Sequence, residues 1–130
     1  MANTTISVVS EYIKLWPREV FYIDDAKCDK ELNSVLDKPG IYILYNDFDV
    51  FYVGQSEHLY ERLHDHAWKR YRLWNHFSAF VVPDKDNLDD VEAIMIAASP
   101  RSTNRQSGKR IERISLPKGV EEKILNRRSI

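Results

Sequence analysis

The 130-residue chain has a single cysteine, Cys28, and no stretch approaching the roughly 20 consecutive apolar residues that a bilayer-crossing helix requires. One cysteine excludes an internal disulfide and a cysteine-based zinc cluster, and it suits a reducing compartment. The opening MANTTISVVS lacks a basic region followed by an apolar run, so the expectation is an intracellular, cytoplasmic protein with no membrane partner. Internal repeats and low-complexity tracts are missing too. No β-α-β series is long enough for a parallel doubly wound sheet.

What is present suffices for one core, with 43% hydrophobic and 12% aromatic residues in the length of an ordinary domain. The net charge of −1 conceals a segregation: residues 1–100 carry 10 Lys/Arg against 17 Asp/Glu, and residues 101–130 carry 9 against 3. The body is therefore −7 and the tail +6. A basic tail suits a phosphate-rich partner, although a solvated terminus gives the same count.

Local patterns predict an α/β layered domain: a small, largely antiparallel sheet with helices packed on it. REVFYID has strand composition, and DKELNSVLDK places Leu32, Val35 and Leu36 at helical spacing. IYILYN and FYVGQ read as a hairpin joined by a three-residue turn, DFD, with Asn46 opposite Val50. That register sets Tyr42 opposite Gly54 and Tyr52 opposite Leu44, so both tyrosines share a face, and Gly54 leaves a gap beside Tyr42 where a ligand approaches the backbone. Ser56 is the expected N-cap of a helix over 57–72, with Leu59, Leu63, Ala67 and Trp74 near one stripe. HFSAFVV is a further strand, DNLDDVEAIMIAAS a further helix with an Asp/Asn cap, RIERISL a candidate strand, and a short basic helix follows Pro117. The reading divides one compact domain into an N-terminal extension over 1–38 packed on the core, a core over 38–115 and a basic tail over 116–130.

Several polar residues stand where packing alone does not explain them. Glu92 falls inside an apolar helical stripe between Leu88, Met95, Ile96 and Ser99. An ionised carboxylate there takes up a proton, meets an arginine such as Arg62, or binds a cation, and the wheel leaves the choice open. Arg62 and His66 lie one turn apart on the shoulder of their helix, directed at the sheet, although a solvated face would give the same spacing. His58 and His64 are read as surface residues, His76 stays ambiguous, and the histidines match no zinc spacing.

Gly40, Ile41 and Tyr42, followed by Tyr52, Val53 and Gly54, resemble the two signatures of the GIY-YIG nucleases, with valine for the usual isoleucine in the second. Arg62, ten residues after Tyr52, matches the family arginine, and His66 matches the histidine of the restriction and homing endonuclease branches. Glu92 resembles the metal-binding glutamate and Asn104 the asparagine after it, so the resemblance spans residues 38–108. It implies a three-stranded central sheet flanked by helices and a divalent-metal-dependent endonuclease hydrolysing DNA phosphodiester bonds, with Mg²⁺ (or Mn²⁺) held by Glu92 and waters. Tyr42 would activate the attacking water with His66 or Tyr52 moving its proton, Arg62 and the metal would lower the Tyr42 pKa, Arg62 would also brace the phosphate, and Asn104 would position it, leaving a 5′-phosphate and a 3′-hydroxyl.

No separate DNA-binding module is recognisable. Gly54, Lys69, Arg70, Arg72, Arg101, Arg105 and Lys109, with Trp68, Tyr71, Trp74, Arg110 and Arg113 around them, are the expected backbone contacts, which position DNA without reading sequence and weaken with salt. The alternative is a catalytically weak or inactive GIY-YIG-like module that binds nucleic acid or protein. A protein partner or a homodimer stays open.

Overall fold

The computed structural model describes residues 7–69, 73–99 and 111–128. Its centre is one antiparallel sheet of four strands: β1 (Glu11–Pro17), β2 (Gly40–Asn46), β3 (Asp49–Ser56) and β4 (His76–Val81), in the spatial order β1-β4-β2-β3. The helices are α1 (Ala26–Leu36), α2 (Leu59–Trp68), α3 (Leu88–Ala98) and α4 (Lys118–Arg128). β2 is central and flanked on both sides, which explains why GIYILYN is apolar almost throughout and buried from Gly40 to Leu44.

Side-chain alternation along β2 feeds two cores. Tyr42 and Leu44 point to the face covered by α1 and α2, among Phe21, Leu36, Leu59, Leu63, Ala67, Trp74 and Phe77. Ile41 and Ile43 point to the other face, with Val53, Val82 and the α3 residues Leu88 and Val91. α2 supplies one apolar stripe at i, i+4 spacing: Leu59, Leu63 and Ala67 are all fully buried.

The expected three-stranded sheet has a fourth strand because residues 11–17, read as part of an extension, pair with β4. This strand is broken by a bulge between Ile13 and Trp16, where Leu15 takes φ 53° and its N–H donates to Ser78 Oγ at 3.0 Å. The bulge removes the strict alternation by which a strand is recognised. REVFYID was expected as a strand, but Arg18–Tyr22 form a 3₁₀ helix that starts after Pro17, whose fixed φ suits a helix entry.

The hairpin turn has two residues rather than three. Asn46 pairs with Asp49, and Asp47 (φ 48°) and Phe48 (φ 72°) both take the left-handed conformation that two-residue hairpin turns demand. The extra residue is absorbed by a register shift after Leu44, which restores Leu44 opposite Tyr52 and Tyr42 opposite Gly54. Asn75 braces this turn: its side chain accepts from Asp47 N at 3.2 Å and donates to Asp47 Oδ1 at 2.7 Å.

α2 begins two residues later than expected, with His58 rather than Ser56 at the N-cap, because the Ser56 hydroxyl is spent on a local turn with His58 N (3.0 Å). Its first N–H donates instead to Lys38 O (3.1 Å). The helix ends at Trp68, not near residue 72. RIERISL is not a strand over its described residues: Ile111–Leu116 have no regular structure and are exposed. Among the described residues no helix is long and apolar enough to cross a membrane.

Candidate active site

The α2 face of the hairpin assembles a polar cluster inside an aromatic one. The Tyr42 ring is fully buried and lies 6.1 Å from that of Tyr52 and 5.4 Å from that of His66, and the Tyr52 and His66 rings are 5.8 Å apart. Tyr42 Oη is 2.9 Å from His66 Nε2, and Arg62 Nε donates to the same oxygen at 3.4 Å. The spacing of Arg62 and His66, one helical turn apart, is what lets both reach one hydroxyl.

The directions of these bonds follow from chemistry. Arginine can only donate, so the phenol accepts from Arg62 and its single proton goes to His66. His66 must then present an unprotonated Nε2. Burial first, then the positive charges of Arg62 and Lys69, lower the His66 pKa to about 4, so the ring is neutral at pH 7. Burial pushes the Tyr42 pKa up to about 12, outweighing the lowering by Arg62 that the sequence led one to expect. The resting chain is therefore guanidinium to phenol to neutral imidazole.

Gly54 explains how so large a ring fits. A Cβ at Gly54 would lie 2.3 Å from Tyr42 Oη and 2.8 Å from Tyr52 Cε1, so the space is occupied by the tyrosines themselves. The reading of Gly54 as an opening through which a ligand nears the backbone is corrected accordingly: the residue is buried beneath Tyr42.

Glu92 approaches the same strand from the other face of the sheet. It is half-buried on α3, and no arginine pairs with it among the described residues, so the expected alternative of an Arg62 ion pair is not realised. Its polar partner is the Gln55 amide. Burial raises its pKa, the Gln55 hydrogen bond opposes that shift, and the Asp89 carboxylate one turn earlier adds to it. Gln55 Nε2 also donates to Asp89 Oδ1 at 2.8 Å. A partly desolvated carboxylate beside a second one, compensated only by a neutral amide, is a fitting oxygen donor for a hard divalent cation. Among the described residues no group of three or more His, Cys, Asp or Glu side chains could hold a metal, so protein ligation there is sparse and waters would complete the shell. Gly54 and Gln55 are consecutive on the edge strand β3, so the tyrosine cluster lies against one face of that strand and the carboxylates bonded by Gln55 lie on the other.

No family model matches the sequence, and no curated protein does. Solved structures do match. Two point mutants of the GIY-YIG N-terminal endonuclease domain of UvrC from Thermotoga maritima, each bound to its catalytic divalent cation, superpose with a TM-score of 0.50. Identity is 20% and 19%, over 63% of this chain and 99% of that domain. The chain has the GIY-YIG fold. A third structure of that UvrC domain, with magnesium as its catalytic divalent cation, gives a TM-score of 0.45 and 21% identity over 56% of this chain and 90% of the domain.

The GIY-YIG fold of this chain thus brings Tyr42, Tyr52, Arg62 and His66 into one cluster and sets Glu92 across the edge strand from it. Asn104, Arg70, Tyr71, Arg72, Arg101, Arg105, Lys109 and Arg110 lie outside the described residues. Lys69 and Arg113 are exposed, as is Trp68, but Trp74 is buried at 3% exposure under the Arg18 guanidinium, 4.6 Å from its ring, and cannot reach a phosphate. His64 is not a plain surface residue either: its ring packs edge-on against Phe21 at 6.2 Å and stacks on Tyr60 at 5.6 Å.

Two residues of consequence were missed. Gln55 sits two positions after Val53, on the α3 face, and alternation alone would have aimed it at the helix that carries Glu92. Arg18 is buried, donating to Ala67 O (2.6 Å), Trp74 O (3.0 Å) and Tyr22 Oη (2.6 Å), and nothing in REVFYID signals this.

Proposed function

We propose that the chain is a divalent-metal-dependent endonuclease that hydrolyses DNA phosphodiester bonds. The observation that carries this reading is the hydrogen-bonded series Arg62, Tyr42, His66 on a GIY-YIG fold, with a carboxylate across the edge strand that no cationic side chain pairs among the described residues. A fold alone does not imply chemistry, whereas a phenol wired to a neutral imidazole is a proton path.

The roles follow from the groups. Arg62 is exposed and donates to Tyr42 Oη, so a phosphate that draws the guanidinium outward would free the phenol of that bond. A water at Tyr42 Oη could then give its proton to the phenol as the phenol passes its own to His66 Nε2. In the free chain that transfer is uphill, because His66 is a weak base. Pairing Arg62 with a phosphate removes part of the positive field that holds the His66 pKa down, which moves His66 toward accepting the proton when substrate is bound. Tyr52 packs against both rings and fixes their distance. A Mg²⁺ or Mn²⁺ ion at Glu92 would offset the charge that builds on the phosphate. DNA is the proposed partner, held through its backbone, with Lys69 beside the cluster and Asn104, Arg70, Arg72, Arg101, Arg105 and Lys109 as further proposed contacts.

The test is plasmid nicking in magnesium. Native protein should cut, while Glu92→Gln and Tyr42→Phe should each lose on the order of 100-fold in rate; equal activity in all three would dismiss the reading. One observation favours a second reading, a binding module without cleavage: Tyr42 is fully buried. That reading calls for full DNA binding by the native chain with no magnesium-dependent nicking.

A further inference from the structure

Gln55 is the one described side chain that joins the strand of the tyrosine cluster to the carboxylates of α3. Asp89 and Glu92 are three apart and share a helix face, so their charges repel across one turn. Carboxylates only accept, which obliges Gln55 to turn its amide nitrogen toward both. Its nitrogen donates to Asp89 Oδ1 at 2.8 Å, and the same amide hydrogen-bonds the Glu92 carboxylate. The amide donates without adding positive charge, so the carboxylates keep their attraction for a cation. Gln55 is also rooted next to Gly54, whose missing side chain seats Tyr42. A carboxylate tethered to this strand is therefore kept in register with the phenol, whereas the α3 helix otherwise meets the sheet through apolar packing.

We propose that Gln55 is the positioning residue of the cation site, its amide anchored by Asp89 and holding the Glu92 carboxylate at the sheet rim where a divalent cation binds. The inference rests on the metal-dependent reading above and deepens it by naming what orients the ligand. Groups that orient a metal ligand typically change affinity 10- to 100-fold when removed.

The experiment is direct binding of Mn²⁺ to the full chain by calorimetry, with metal-free melting temperature recorded for each variant. Native protein should bind, Glu92→Gln should abolish binding, and Gln55→Met, which keeps the shape and loses the donors, should weaken it at least about tenfold. Gln55→Asn keeps an amide on the strand but is one methylene too short for the span, so it should weaken binding to the same degree, and it decides the matter if Gln55→Met does not fold. A merely structural role would lower the melting temperature and leave the dissociation constant unchanged. If Glu92→Gln loses Mn²⁺ while both Gln55 variants bind like native protein, the inference fails and the metal-dependent reading stands. If native protein does not bind Mn²⁺, both fall.

Discussion

At the scale of single residues the site is organised around one absent side chain. Tyr42 is large, fully buried and polar at its tip, and it is tolerated because its hydroxyl has two partners and its ring has the space over Gly54. Gly54→Ala would put a methyl group 2.4 Å from Tyr42 Cζ and force the ring off His66. Overpacking of this kind costs about 1–3 kcal/mol, so urea titration should show that loss, and the nicking rate should fall with it. An unchanged stability would mean that the Tyr42 ring has room elsewhere. The pairing of Tyr42 with Gly54 was legible, since it follows from counting residues along two strands. That the glycine serves the tyrosine rather than a ligand was not, because register says which residues face each other and not which atoms fill the space.

At the scale of elements the fastening of α2 decides where Arg62 and His66 point. A helix leaves its last carbonyls without partners, and here the carbonyl of Ala67 accepts from both Arg18 and Tyr22, while Arg18 also holds Trp74 O across the end of the loop. The guanidinium has no carboxylate partner among the described residues and is nonetheless well placed, since a positive group at a helix C-terminus meets the negative end of its dipole. Arg18→Met keeps the bulk, orphans Trp74 O and leaves Ala67 O to Tyr22 alone, with an expected loss on the order of 2 kcal/mol in denaturant unfolding. A loss under about 1 kcal/mol would mean that water takes over both bonds. The strand β1 and the Arg18 turn were the elements least legible in advance: a bulge hid the alternation of the first, and aromatic composition mimicked a strand in the second. The hairpin, α1, α3 and α4 were legible because their periods and turn residues are local properties of the chain.

At the scale of the whole molecule the buried imidazole couples the site to stability. An unfolded histidine takes up a proton near pH 6.5, whereas His66 in the fold resists protonation down to about pH 4. Its folded pKa is depressed, so between those values the unfolded state binds more protons, and the stability contribution present above pH 6.5 is lost as the pH falls toward 4. Unfolding free energies at pH 7 and pH 5 should therefore drop more for the native chain than for His66→Gln; parallel drops would refute the assignment. The segregated charge, −7 over residues 1–100 against +6 over 101–130, is also a property of the whole chain, and it is read from the sequence without any fold.

The line between sequence and structure runs along range. Strand and helix periods determined that Tyr42 and Tyr52 share one face of the hairpin and that Arg62 and His66 lie one turn apart, because such periods carry information over a few residues; grouping these residues with Glu92 was what the family resemblance implied. Only tertiary packing decided that the phenol donates to a neutral histidine, that Glu92 answers to Gln55 and not to Arg62, and that Arg18 closes α2. Those outcomes depend on burial and on the charges that distant segments bring together, and the desolvation that sets them exists only once the chain has folded.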